Sequence, residues 1–133
     1  MTRRLKRVLV VEDDLSLRPL WENFFASAAM KFWLDWAVSC EQALVMIADK
    51  NKERKKYHLI ISDLFLAGSG TGIDLIKSKP VRDSAAKTIL VSSVARDEIA
   101  RQFGHLFPNT VIITKPVDLK KYQAELLNCA GAA

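Results

Sequence analysis

The sequence has few cysteines, and none is arranged for a disulfide framework or a metal knuckle. Cys40 and Cys129 are its only two, and no Cys-x-x-Cys pair or Cys/His cluster with metal-ligand spacing occurs. Isolated cysteines of this kind are typical of reduced thiols in a cytoplasmic protein. This pattern argues against a disulfide-stapled secreted scaffold and against a zinc-ribbon site.

Long apolar runs are also absent. No stretch approaches the roughly 20 apolar residues that a membrane-spanning helix needs. The basic amino end and the apolar residues 8–11 together suggest a secretory signal, but the apolar run is too short and three acids follow it directly. We therefore expect a soluble cytoplasmic protein without membrane contact.

The chain has 133 residues, of which 50% are hydrophobic, so it can bury one substantial core. We expect a single domain over residues 1–133 with its core between about residues 6 and 128. The sequence ends shortly after the last predicted helix, so we expect no attached output domain.

The formal charge of +5 is unevenly distributed, because basic residues crowd the amino end and one predicted loop. The two groups are Arg3, Arg4, Lys6 and Arg7, and Lys50, Lys52, Arg54, Lys55 and Lys56. Neither group is interleaved with aromatic residues that the sequence predicts to be exposed, and neither follows a helix face. We interpret both as solvated surface charge, which argues against a nucleic-acid partner.

Hydrophobic periodicity predicts that strands and helices alternate five times along the chain. The predicted strands are residues 5–11, 32–37, 58–63, 88–91 and 111–114, and the predicted helices are residues 15–29, 40–49, 72–79, 96–107 and 118–128. Pro19 fits only the first turn of its helix, and Pro80 is expected to end the third helix. This alternation predicts an α/β fold with a five-stranded, doubly wound parallel sheet and five helices on its two faces.

Four of the predicted strands end at residues that can carry chemistry. Glu12, Asp13 and Asp14 follow the first strand, Asp63 ends the third, Ser92 follows the fourth, and Lys115 follows the fifth. Ligands of such sheets bind outside the carboxyl ends of the strands, so these side chains are expected to meet. Acids brought together there repel each other unless a cation sits among them.

A magnesium ion relieves that repulsion, because it accepts a few carboxylate ligands together with water and phosphate oxygens. Lys115 then offers a positive charge and Ser92 a hydroxyl to phosphoryl oxygens. Asp63 remains free to attack phosphorus and form an aspartyl phosphate. The spacing predicts a magnesium-dependent phosphoryl-accepting site.

Two other classes fit less well. A phosphatase with an aspartate nucleophile needs a second acid two residues later, where this chain has Phe65. A flavin or dinucleotide binder needs a hydroxyl- or glycine-rich loop after the first strand, where this chain places three negative charges.

The same motifs resemble the receiver domains of two-component response regulators, and the resemblance runs from about Lys6 to Asn128. Residues 8–14, Val-Leu-Val-Val-Glu-Asp-Asp, are similar to the opening strand of that family with its acidic pair. Residues 60–63 are similar to the strand that carries the phosphorylated aspartate. Ser92 stands at the switch hydroxyl, and Lys115-Pro116 matches the lysine–proline pair of the family.

The resemblance implies a chemotaxis-regulator-like fold with the flavodoxin-like strand order 2-1-3-4-5. It implies a signalling domain rather than a conventional enzyme, in which Asp63 accepts phosphate from a histidine kinase or phosphotransfer protein. Asp13 and Asp63 would bind Mg2+ directly, Glu12 through water, and the Phe65 carbonyl would complete the protein ligands. It further implies a cis peptide bond before Pro116, an unidentified downstream protein, and a homodimer through the fourth helix, fifth strand and fifth helix.

Some positions depart from the family pattern. Ile112 occupies the place of an aromatic side chain that normally swings inward on activation, so we expect an altered relay from Ser92. Phe65 and Val94 replace polar groups that orient a hydrolytic water in the family, which predicts a long-lived acyl phosphate. The alternative that remains open is a receiver-like interaction module that is never phosphorylated and whose basic surface contacts nucleic acid.

Overall fold

The computed structural model describes residues 5–66, 68–103 and 110–131. One sheet contains five parallel strands in the order β2-β1-β3-β4-β5, as the family resemblance implied. The strands are β1 (Lys6–Val11), β2 (Phe32–Ala37), β3 (Leu59–Asp63), β4 (Lys87–Ser92) and β5 (Thr110–Thr114). The predicted parallel α/β sheet is confirmed.

The described residues contain six α-helices, one more than the sequence predicted. They are α1 (Arg18–Ala26), α2 (Cys40–Lys52), α3 (Gly72–Lys77), α4 (Lys79–Ser84), α5 (Arg96–Phe103) and α6 (Leu119–Cys129). The predicted continuation of α5 to residue 107 lies outside the described residues.

The extra helix arises around Pro80, where the prediction was wrong. Proline was expected to end a single helix, but it lies in the first turn of α4. Ser78 has an extended backbone with ψ 154° and separates α3 from α4. Proline suits the start of a helix because its missing N–H would have no partner there.

The first helix is shorter than predicted. A 3-10 turn spans Leu15–Leu17, and α1 follows with Pro19 in its first turn, as expected. Leu20 is 40% exposed and does not belong to the inward face of α1. The inward residues of this helix are Trp21 and Phe25, which are buried.

The core lies on both faces of the sheet because successive side chains of a strand point to opposite sides. From β1, Val8 and Val10 join a cluster with residues of α1 and α6. Leu9 and Val11 join a second cluster with residues of α2, α3 and α4. With both faces covered, the inner strands are continuously apolar, which is typical of parallel sheets.

Local side chains cap the starts of α2 and α3. Ser39 accepts a hydrogen bond from the Gln42 backbone N–H at 3.1 Å at the start of α2. Thr71 and Asp74 form a reciprocal capping box at the start of α3. These caps fix the residues at which α2 and α3 begin.

None of the helices in the described ranges combines the length and apolar character that spanning a bilayer requires.

Ala85 is expected to lower the stability of the fold, because it has a left-handed backbone with φ 58° at the end of α4. This conformation costs an L-residue about 1–2 kcal/mol, and glycine avoids most of that cost. We predict that Ala85→Gly raises the free energy of unfolding by about 0.5 kcal/mol in urea denaturation. Ala86→Gly is the control, because Ala86 has negative φ and should lose stability; an equal change in both variants would contradict the prediction.

Candidate functional site

The parallel sheet brings the four predicted strand ends to one edge. Asp63 and Ser92 are the last residues of β3 and β4, while Glu12 and Lys115 directly follow β1 and β5. Backbone hydrogen bonds tie these ends together, since Lys115 N–H donates to the Ser92 carbonyl at 2.8 Å. Residues more than 100 positions apart in sequence therefore share one site.

Three carboxylates converge at this edge. One carboxylate oxygen from each of Glu12, Asp13 and Asp63 lies within 4.8 Å of the other two. Glu12 and Asp63 are buried, whereas Asp13 is exposed to solvent. Asp14 does not join the group: its carboxylate accepts hydrogen bonds from Ser16 and caps the 3-10 turn.

Lys115 supplies the positive charge of the site. Its Nζ lies 3.1 Å from Asp63 Oδ1 and 3.7 Å from Glu12 Oε1. Burial alone lowers the pKa of Lys115, but the hydrogen bond and attraction to Asp63, with attraction to Glu12 and Asp13, outweigh it and raise the pKa. The peptide bond between Lys115 and Pro116 is cis, as the resemblance implied.

One ammonium does not neutralise three carboxylates, and the raised pKa of Glu12 reflects the imbalance. Burial, the hydrogen bond with Asp13 and the charge of Asp63 together raise the pKa of Glu12 to about 7. A bound cation would relieve this repulsion. The donor set, made of hard carboxylate oxygens with one exposed member, fits Mg2+.

Ser92 lies at the back of the site. It is 1% exposed, and its Oγ accepts a hydrogen bond from the Val94 backbone N–H at 2.9 Å. A hydroxyl can also donate, and no described residue accepts the Ser92 hydrogen. The side chain is thus held in place, and its hydroxyl hydrogen is available for one further hydrogen bond.

Phe65 follows the site in the turn after β3, and its side chain is 62% exposed. The preceding residue is fixed, because Leu64 N–H donates to the Val91 carbonyl at 2.8 Å. The described contacts do not test whether the Phe65 carbonyl is a metal ligand, which stays a prediction.

Gly72 packs against Asp63 itself, which the sequence analysis missed. A Cβ at this position would lie 2.2 Å from the Asp63 carbonyl oxygen, so only glycine fits. The same carbonyl accepts a hydrogen bond from Ser62 Oγ at 2.9 Å, and Gly72 N–H donates to the Leu64 carbonyl at 2.8 Å. The sequence signal for this close approach was a glycine at the start of the helix that follows the third strand.

Glu41 restrains the glycine-rich turn at residues 68–72. Its carboxylate accepts hydrogen bonds from Ser69 Oγ at 2.8 Å and from the Gly70 backbone at 3.2 Å. Hydrogen bonds from its own backbone N–H, Ser69 and Gly70 hold the pKa of Glu41 below its ordinary value. No sequence signal linked Glu41 to this turn, because the rest of α2 and the whole of β3 lie between them.

Comparison with known proteins gave matches only at the level of structure. No protein-family model matches the chain, and no curated protein sequence matches it significantly. Among solved structures, a CheY-like response regulator receiver domain protein from Methanospirillum hungatei JF-1 superposes with a TM-score of 0.75 at 19% identity, over 96% of this chain and 95% of that one. The chain has the receiver-domain fold.

Two further structures with the receiver-domain fold show the same breadth of coverage. The signal receiver domain of a putative Luxo repressor protein from Vibrio parahaemolyticus has a TM-score of 0.75 and 22% identity, over 98% of this chain and 92% of that one. CheY in the CheX-CheY-BeF3-Mg+2 complex from Borrelia burgdorferi has a TM-score of 0.73 and 18% identity, over 92% and 87%. At these identities the likeness concerns the fold.

Magnesium binding is expected to change stability in a way that depends on Asp13. At constant ionic strength, MgCl2 should raise the unfolding temperature of the wild type, and occupancy at 100 times Kd adds about 2.7 kcal/mol. Asp13→Asn should raise stability without the ion, because it removes one repelling charge, and should abolish the response to MgCl2.

The matched control for this thermal-shift experiment is Asp49→Asn, which removes an exposed carboxylate on α2. It should respond to MgCl2 like the wild type. A full response in Asp13→Asn would contradict the metal site.

Proposed function

We propose that this chain is a signalling domain that accepts a phosphoryl group on Asp63 from a phosphohistidine of a histidine kinase or phosphotransfer protein. The observation that carries the proposal is the meeting of Glu12, Asp13 and Asp63 with Lys115, whose Nζ lies 3.1 Å from the Asp63 carboxylate. A surface ion pair alone does not account for two buried carboxylates facing one another.

In the transfer step, an Asp63 carboxylate oxygen attacks phosphorus of the donor. The new P–O bond forms as the P–N bond to the donor imidazole breaks, and the electron pair left on that nitrogen takes up a proton. Positioning and charge neutralisation supply most of the catalysis such a transfer needs. Asp13 and Asp63 would hold Mg2+, with Glu12 acting through water and the Phe65 carbonyl completing the protein ligands. The ion would supply neutralising charge to the phosphoryl oxygens.

Lys115 and Ser92 serve the phosphorylated product. Phosphorylation consumes the Asp63 carboxylate that Lys115 now pairs with, so its ammonium becomes available to a phosphoryl oxygen. Ser92 donates its remaining hydrogen bond to another phosphoryl oxygen. Both groups stand on strand ends, so they need only side-chain movement to engage the phosphate.

The output follows from altered binding to a downstream protein or from onward phosphotransfer in the cytoplasm. We place a dimer contact on α5, β5 and α6. Ile112 of β5 packs in a cluster with Leu90 and Ile99, beside the partly buried Val94. A change at Ser92 would reach α5 by repacking these aliphatic side chains rather than by rotation of an aromatic ring.

Intact-mass measurement tests the acceptor directly. After incubation with acetyl phosphate and MgCl2, the wild type should gain the mass of one phosphoryl group, while Asp63→Asn should gain none because an amide cannot form the acyl phosphate. Lys115→Met should be modified at least about tenfold more slowly, because it loses the cation beside the reacting oxygen.

The control for this measurement is Asp83→Asn, an exposed acid on α4 that should be modified like the wild type. Equal labelling of wild type and Asp63→Asn would overturn the proposal. It would favour the alternative of a receiver-like interaction module that works without phosphorylation.

The acyl phosphate is expected to decay slowly, because the apolar side chains of Phe65 and Val94 offer no hydrogen bond to an attacking water. Phe65→Asn should shorten the lifetime of the acyl phosphate by at least about threefold, because the amide can hydrogen-bond the attacking water. The free-energy difference behind a threefold change in rate is smaller than that of one ordinary hydrogen bond. The decay is followed by intact mass after removal of the donor.

Val45→Asn is the matched control for the lifetime, since Val45 is also 62% exposed but lies on α2. Its acyl phosphate should decay at the wild-type rate. Rapid decay in the wild type, or no effect of Phe65→Asn, would show that these positions do not set the lifetime.

A further inference from the structure

An exposed tryptophan stands at the amino edge of the sheet, opposite the acidic site. Trp33 is 54% exposed, whereas Trp21 and Trp36 are buried. Its indole N–H donates to Asp35 Oδ1 at 2.8 Å, and the buried Tyr57 hydroxyl donates to Asp35 Oδ2 at 2.6 Å. The ring is therefore held on a rigid strand rather than on a loop.

Strand register places a cation beside this ring. Arg7 of β1 is directly opposite Trp33 of β2, and side chains in register on parallel neighbours point to the same face. Lys31 immediately precedes β2 and is exposed. The Tyr57 hydroxyl and the Trp33 indole both donate hydrogen bonds to the Asp35 carboxylate. Tyr57 directly follows the basic segment at residues 50–56, so this segment also adjoins the edge.

Contacts with the helix dipole and with neighbouring groups account for only some of the basic residues at this edge. Lys50 and Lys52 lie in the last turn of α2, where cations complement the helix dipole, and Lys50 pairs with Glu53 at 3.7 Å. Lys56 donates to the Asp83 carbonyl at 2.9 Å. Among the described residues, no ion pair involves the three further cations of this edge, which are Arg7, Arg54 and Lys55.

Arg54 occupies a position that usually belongs to glycine. Its φ is 58°, and it follows the end of α2, where Lys55 N–H donates to the Lys50 carbonyl at 3.0 Å. Glycine or asparagine is the common residue in this helix-ending motif, and a left-handed arginine costs about 1–2 kcal/mol. Replacing Arg54 with glycine therefore removes its charge and relieves backbone strain at the same time.

We propose that Trp33, with Arg7, Lys52, Arg54 and Lys55, binds single-stranded nucleic acid. A base stacks on the exposed indole face, and the cations contact the backbone phosphates on either side. A flat aromatic ring among charges fits an unstacked base, which a duplex does not offer. It does not fit insertion into a bilayer, which needs an apolar surface around the ring.

This surface is independent of the proposed phosphoryl transfer. It lies at the amino ends of the strands, and Arg7 is five residues from Glu12 along β1, which corresponds to about 17 Å. Binding should therefore persist in Asp63→Asn. The sequence pattern, in which no exposed aromatic residue is interleaved with either basic group, did not indicate this surface, because Trp33 lies on a different strand.

The test measures fluorescence anisotropy of labelled oligothymidylate and oligouridylate of about 15 nucleotides, a length within the usual site size. Wild-type affinity should fall steeply as salt rises. Trp33→Ala should weaken binding about tenfold, the effect of losing one stacked base. The double variant Arg54→Gly/Lys55→Ala should flatten the slope of log K against log salt by about 1.4, because two phosphate contacts are lost.

Two controls separate loss of binding from altered folding. Ala85→Gly relieves the same left-handed conformation as Arg54→Gly but removes no charge, and it should bind like the wild type. Lys120→Ala/Lys121→Ala removes two exposed cations from α6 and should also leave binding unchanged. If Trp33→Ala does not fold, the Arg54/Lys55 double variant still decides the question.

Several outcomes would overturn the proposal. These are no binding at low salt, wild-type affinity in Trp33→Ala, or an equal loss in the α6 variant. Binding to phosphatidylserine vesicles without binding to either oligonucleotide would also overturn it, because it would identify a membrane surface instead.

Discussion

Electrostatic repulsion among three carboxylates is the constraint on which the site depends. Glu12, Asp13 and Asp63 place oxygens within 4.8 Å of one another, and Lys115 offers the nearest positive charge at 3.1 Å from Asp63. The parallel sheet brings these groups to one edge, so their negative charges stay close together. In the proposed function, a bound cation offsets this charge before a phosphoryl group adds its own.

The supporting structure around Asp63 is built from backbone contacts. Gly72 approaches the Asp63 carbonyl so closely that no side chain fits, and Ser62 donates to the same oxygen. Glu41 holds the glycine-rich turn through Ser69 and Gly70. These contacts restrain both sides of the turn that follows Asp63, so its geometry depends on α2 and α3 as much as on β3.

Strand direction also separates charge along the molecule. The carboxyl ends of the strands carry the acidic site, while Arg7, Lys31 and the segment at residues 50–56 crowd the amino ends. The parallel order makes this separation possible, because all five strands present like ends at the same edge. Partners of opposite charge can therefore approach opposite ends of the domain without competing for one surface.

The sequence by itself determined the features that depend on local patterns. Apolar runs ending in Glu12, Asp63, Ser92 and Lys115 predicted the strands and the edge where they meet, because period and strand direction are written in neighbouring residues. Tertiary structure decided what depends on distant groups. Glu41 accepts a hydrogen bond from Ser69, which lies 28 residues later in the chain, and Trp33 stays exposed at the edge of the sheet. Whether an aromatic side chain is covered depends on which elements pack over it, and no local pattern contains that information.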